Sequence, residues 1–166
     1  MLLESQLPAL KAAILADLDE AIIAARAIRN DNEITRLYNL PSTYWVWKGK
    51  LLLSELTNNG FAWVEVDNLT VGKARIWEWM FDNEDRSINP SKADVRAGIV
   101  ECWSGTGARV IVQNAILGHC KRLATKAEKV YATNGDGTGA QATPGYLGAV
   151  IGMIDVNDVS NALNLP

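Results

Sequence analysis

The chain has 166 residues, 48% hydrophobic and 21% charged, with a formal net charge of -3. That is enough chain to bury one core but too little for two large substrate domains, and the composition is globular rather than disordered. The mild acidity argues against a strongly basic nucleic-acid binder, and a single histidine excludes a histidine-rich metal site.

Leu7, Leu10, Ile14, Leu18, Ala21, Ile22, Ala25 and Ile28 recur at steps of three and four, which predicts an amphipathic helix within residues 1–30. Pro8 suits its first turn. The helix is either one rod, ~33 Å long at about 1.5 Å per residue, or two pieces broken near Asp17-Leu18-Asp19. Lys11, Asp17, Asp19, Glu20 and Arg26 interrupt the stretch, which argues against a membrane span. Met1 to Glu20 lacks a basic start and carries Glu4 early, so it does not read as a secretory signal.

Asn30-Asp31-Asn32 marks a stop and a new cap, followed by a short helix from about Glu33 to Asn39 that Pro41 ends. Ser42 or Thr43 is expected to cap a helix carrying Tyr44, Trp47 and Leu51. Asn58-Asn59-Gly60 is a turn. Phe61 to Val66 alternates loosely and reads as a short strand or an extended connection. Asn68 or Thr70 caps the next helix, with Val71, Ala74, Trp77 and Phe81 on one face. Asn89-Pro90 is the clearest helix start, and Val95, Ile99, Cys102 and Trp103 form that helix's buried face. Ser104-Gly105-Thr106-Gly107 stops it, and Ala108, Ile111, Val112, Ala115 and His119 line the following helix. Thr125 caps a last regular helix through Tyr131. Residues 133–145, with the run Asn134 to Gly139, read as a flexible Gly-rich loop or hairpin tip. Residues 146–166 read as a strand and a short helix capped by Asp155 or Asn157. The expected architecture is one mainly α domain over 1–166, a compact helical bundle with a small β-hairpin or extended loop near the C-terminus.

No pattern of catalytic or cofactor-binding residues stands out. Cys102 and Cys120 do not make a disulfide framework and read as two reduced thiols in the core. Ser104 to Val110 holds the first half of G-x-G-x-x-G, but Val110 stands at the third glycine and the preceding segment reads as a helix. Gly49-Lys50 and Gly72-Lys73 fail the phosphate-loop pattern, because Tyr44 and Asp67 occupy the first glycine position. Gly135-Asp136-Gly137 and Asp82 to Asp85 lack the alternating oxygen ligands of a calcium loop. His119 and Cys120, as helix neighbours, point about 100° apart and cannot pair as base and nucleophile. The expectation is a protein that is not an enzyme and takes no metal or cofactor.

Surface chemistry is more informative. Of the six tryptophans, Trp47, Trp77 and Trp103 fall on predicted buried faces, whereas Trp45 and Trp79 point elsewhere and become candidates for a protein interface. From Arg109 to Lys129, Arg109, Lys121, Arg122, Lys126 and Lys129 stand against Glu128 alone, which reads as a basic helix. The tail from Val130 carries only Asp136, Asp155 and Asp158.

Three strings resemble a tailed-bacteriophage virion morphogenesis family: Val66-Asp67-Asn68-Leu69-Thr70-Val71-Gly72-Lys73-Ala74-Arg75-Ile76-Trp77-Glu78-Trp79-Met80, Ser87 to Arg96, and His119 to Lys129 with the Gly/Thr-rich loop after it. The resemblance covers roughly residues 40–166. It implies a structural virion protein made in the host bacterial cytoplasm and placed at the head–tail junction, or neck. There it would act as a head–tail connector, an adaptor subunit of a homo-oligomeric ring of about twelve copies. The implied partners are the portal and the tail or neck proteins. The candidate interface residues are Trp45, Trp79, Lys121, Arg122, Lys126, Lys129, Gly135, Gly137 and Gly139. The basic residues could face packaged DNA non-specifically or an acidic protein surface. Asn134-Gly135-Asp136-Gly137 is more polar than the family's loop. The alternatives are another phage structural component, in the tail or baseplate, and then a nucleic-acid binder or an enzyme.

Overall fold

The apolar stripe at the N-terminus folds as two helices. In the computed structural model, which describes residues 1–57, 61–137, 143–147 and 153–166, α1 spans Leu7–Ala16 and α2 spans Glu20–Ala27. Asp17 is extended, and the Asp19 carboxylate accepts the Ala21 N–H to cap α2. Leu18, at the break, is 86% exposed and leaves the stripe. α3 (Asp31–Tyr38) starts on Asn30, whose side chain accepts the Glu33 N–H. The chain is mainly α, 56% helical, with short strands in two-stranded sheets. Among the described residues no helix is long and apolar enough to cross a membrane.

The chain forms two units, Met1–Val46 with Leu123–Pro166, and Trp47–Arg122. In the first, α1, α2 and α3 join α9 (Lys126–Tyr131) and α10 (Val156–Asn164) around an aliphatic core. Leu10, Ile14, Ile22, Ile34, Ala127, Val159 and Ala162 are fully buried there. Thr125 caps α9 and Asp155 caps α10, each in a reciprocal box closed by Glu128 and Asp158 respectively. β1 (Pro41–Trp47) pairs with β4 (Lys121–Thr125). β5 (Ala132–Thr133) pairs antiparallel with β6 (Tyr146–Leu147). A small cluster of Tyr44, Val46 and Ala124 lies under these strands.

The expected helix from Ser42 or Thr43 is therefore the strand β1. Thr43, Tyr44, Trp45, Val46 and Trp47 are β-branched or aromatic, and Tyr44 and Val46 are buried in alternation, so a period of two prevails over the spacing of Tyr44 and Trp47.

The second unit is built around aromatic rings. β2 (Leu51–Leu52) pairs antiparallel with β3 (Ser87–Ile88), setting Leu51 opposite Ile88. Around them lie α4 (Leu53–Thr57), α5 (Val64–Asp67), α6 (Val71–Met80), α7 (Ala93–Cys102) and α8 (Ala108–His119). Trp77 and Trp103 meet edge to face at 5.4 Å, and Trp77 meets Phe81 at 5.0 Å. Ile99, Cys102, Val112, Ile116 and Cys120 complete the core.

Three local expectations change in this unit. The segment from Phe61 to Val66, expected as a short strand or an extended connection, turns instead, with Glu65 N–H donating to Ala62 and Val66 N–H to Trp63, and leads into α5. Asn89-Pro90 does not start α7. The Asn89 side chain accepts the Ser91 N–H in an Asx turn, and the helix begins at Ala93. On α8 the buried row is Val112 and Ile116, continued by Cys120, while Ile111 is 70% exposed and Ala115 also faces outward. Both rows have four-residue spacing, so periodicity alone does not choose between them.

Candidate functional site

Trp79 is the interface candidate that the fold leaves most open. α6 starts on Thr70, whose hydroxyl accepts the Lys73 N–H, and this cap sets the rotation of the helix. Trp77 then faces the core, and Trp79, about 200° further round, faces solvent with 70% of its surface exposed. Trp63 is 58% exposed and lines the same cleft. Phe61 lies between the buried and open rings, stacked on Trp77 at 6.3 Å and edge-on to Trp63 at 5.2 Å. The cleft has a volume of about 720 Å³. Leu53, Val66 and Phe81 add apolar surface, and Glu78, Asp82, Asn83 and Arg86 form its polar part. Sequence reasoning singled out Trp79 but not Trp63, Glu78 or Asp82. Their juxtaposition depends on the turn after Phe61, which the loose alternation there concealed.

Trp45 lies in the other unit and is half-buried on β1. Its N–H donates to the Gly137 carbonyl at 2.7 Å, and its carbonyl accepts the Gly145 N–H at 2.9 Å. Gly135 and Gly137 belong to the same arrangement. The Tyr44 hydroxyl donates to the Gly135 carbonyl at 2.8 Å. Gly137 has φ 59°, and a Cβ on it would lie 2.0 Å from the Tyr44 ring. Gly137 is explained by close packing on Tyr44, and Gly135 by the backbone of Thr143 and Gly145, 2.6 Å from where its Cβ would lie. Gly139, and much of the expected flexible loop, lie outside the described residues.

The basic residues do not form one helix. Arg109 is on α8, Lys121 and Arg122 are on β4, and Lys126 and Lys129 are on α9. The Lys126 ammonium is 2.6 Å from the Asp19 carboxylate and 3.9 Å from that of Asp17. This hydrogen bond from Lys126 holds the Asp19 carboxyl below its usual range. Arg109 donates to the Asn68 carbonyl, and Lys129 is exposed. The acidic tail is largely used within its own unit. Asp155 caps α10, and buried Asp158 accepts the Leu2 N–H at 2.7 Å and the Asp155 N–H at 2.9 Å.

A second concave region, of about 850 Å³, is lined in the first unit by Asp17, Tyr38, Ser42, Thr43, Lys126 and Lys129. Three of its polar side chains are engaged with carboxylates or each other: the Tyr38 hydroxyl reaches Asp17 at 3.3 Å, and Lys126 pairs with Asp19. Burial, reinforced by the charge of Asp17, keeps the Tyr38 phenol protonated well above the ordinary tyrosine range. Burial also pushes the thiol of Cys102 up to about 11 and that of Cys120 up to about 12, which leaves both poor nucleophiles. Among the described residues no group of three His, Cys, Asp or Glu side chains is placed to hold a metal ion. No protein-family model, curated protein or solved structure matches the chain.

Proposed function

We propose that this protein is a structural subunit of a tailed-bacteriophage particle, a head–tail adaptor whose copies form a ring joining the portal to the tail. The observation that carries it is the pair of exposed indoles, Trp63 and Trp79, at one aromatic cleft. A single exposed apolar residue needs no explanation, but two tryptophans on one concave surface have the composition of the centre of a protein interface. The strings that resemble the phage family support the placement in a virion, and the first of them contains α6 with Trp77 and Trp79. Lys121, Arg122 and Lys129 are the further contacts proposed for an acidic partner or packaged DNA. The antiparallel pairing of β5 with β6 supports a C-terminal hairpin as an extension toward a neighbouring copy.

Locating the protein in purified particles tests this directly. The expected result is density at the neck and particles that assemble poorly when Trp79→Ala replaces the native chain. Absence from purified virions overturns the proposal, and binding to isolated tails but not to filled heads assigns the protein to the tail or baseplate instead.

A further inference from the structure

We propose that the Trp63–Trp79 cleft binds a basic segment of a partner protein, with an arginine or lysine side chain lying against the exposed indoles. This rests on the reading of the chain as a binding subunit and adds the chemistry of what it binds. Indole faces attract cations, and guanidinium groups stack on them readily. The same unit already makes one such contact, with the Arg96 guanidinium carbon 4.6 Å from the centre of the Trp47 ring.

Charge selects the partner. Glu78 adjoins Trp79 in the last turn of α6, Asp82 lies two residues past its end, and both line the cleft. Negative charge there is disfavoured by the helix dipole, and α6 has no basic residue in its last turn. Among the described residues neither carboxylate has a hydrogen-bond or ion-pair partner. Two other acids of this unit do have them: Asp85 pairs with Lys50, and Glu55 with Lys48. Arg86, also at the cleft, makes no ion pair with either carboxylate, and one cation against two carboxylates leaves the rim net negative. An incoming basic segment therefore meets two exposed indoles and two carboxylates on the rim of one cleft. Leu53, Val66 and Phe81 accept apolar residues beside it. A nucleic-acid backbone is repelled by the same rim.

The test uses the full chain with two synthetic peptides, acetyl-Leu-Arg-Leu-Arg-Leu-amide and its glutamate counterpart, and a single-stranded oligonucleotide, read by calorimetry. The arginine peptide is expected to bind at least about ten-fold more tightly than the glutamate peptide, and to lose about ten-fold in Trp79→Ala and in the double variant Glu78→Gln/Asp82→Asn. The double variant preserves side-chain size at exposed positions, so its thermal midpoint should not fall. Equal binding of both peptides, indifference to these substitutions, or oligonucleotide binding at the cleft overturns the assignment. Self-association that these substitutions abolish does so too, by making a second copy the occupant. A chain found in virions that ignores the arginine peptide overturns the cleft assignment alone, whereas a chain that binds the peptide but is missing from virions overturns the phage placement alone.

Discussion

The two units handle polar and aromatic side chains in opposite ways. In the first, polar and charged side chains are engaged by groups of the same unit. Asp19, Asn30, Thr125 and Asp155 cap helices, Asp158 holds the Leu2 N–H, and Lys126 answers Asp19. Its core is aliphatic apart from Tyr38. In the second, Trp77, Trp103 and Phe81 fill the interior, yet Trp63 and Trp79 remain outside, on a cleft with two carboxylates that are unpaired among the described residues. The contrast separates residues that secure a fold from residues available to a partner. A tryptophan contributes to stability where its rings are enclosed and to recognition where they are not.

The sharpest break of that contrast is inside the second unit. Trp103→Ala should cost about 3–5 kcal/mol, because the ring is fully buried among other rings. Trp79→Ala should change stability by less than about 0.5 kcal/mol. Urea denaturation of the two variants side by side checks the difference, and equal losses would erase the distinction between enclosed and open indoles.

Gly137→Ala tests the first unit at its tightest contact. The substitution combines a φ of 59° with a Cβ 2.0 Å from the Tyr44 ring, so a loss of about 2–4 kcal/mol is expected. Thermal melts should show Gly137→Ala well below the native chain, and combining it with Tyr44→Ala should cost less than the sum of the two separate losses, because the clash is gone.

The smallest effect concerns the Lys126–Asp19 pair. The carboxyl of Asp19 is held below its unfolded value, so its contribution is present above that value and is lost as pH falls through the folded one. In Lys126→Met this part of the acid-side decline should flatten, by a small amount because the pair is solvent-exposed. Unchanged acid melting curves would show that the pair contributes nothing.

Much of the local structure was legible because caps and apolar spacing act over a few residues. Thr125 starts a helix where its side chain predicted, Thr70 is one of the two caps expected for α6, Asn30 lies in the run expected to hold a new cap, and the break at Asp17-Leu18-Asp19 was one of two alternatives in the sequence. The errors have local causes too. β1 carries aromatic residues compatible with both a period of two and a helical spacing, and α8 carries two apolar rows of equal period. The division into units has no punctuation in the sequence, since the chain passes from one to the other at Val46 and Trp47, within β1.

By itself the sequence determined a mainly α chain, most of its helix starts, and the inward turn of Trp77 and Trp103, because each depends on neighbours one or two turns away. Only the tertiary structure decided which charges are engaged and which are open. Lys126 meets Asp19 across 107 residues and Asp158 meets Leu2 across 156. The charge run that reads as one basic helix is dispersed by such pairings, which arise from where folded elements bring side chains. The same placement sets Trp63 and Trp79 on one cleft and leaves Glu78 and Asp82 without partners among the described residues.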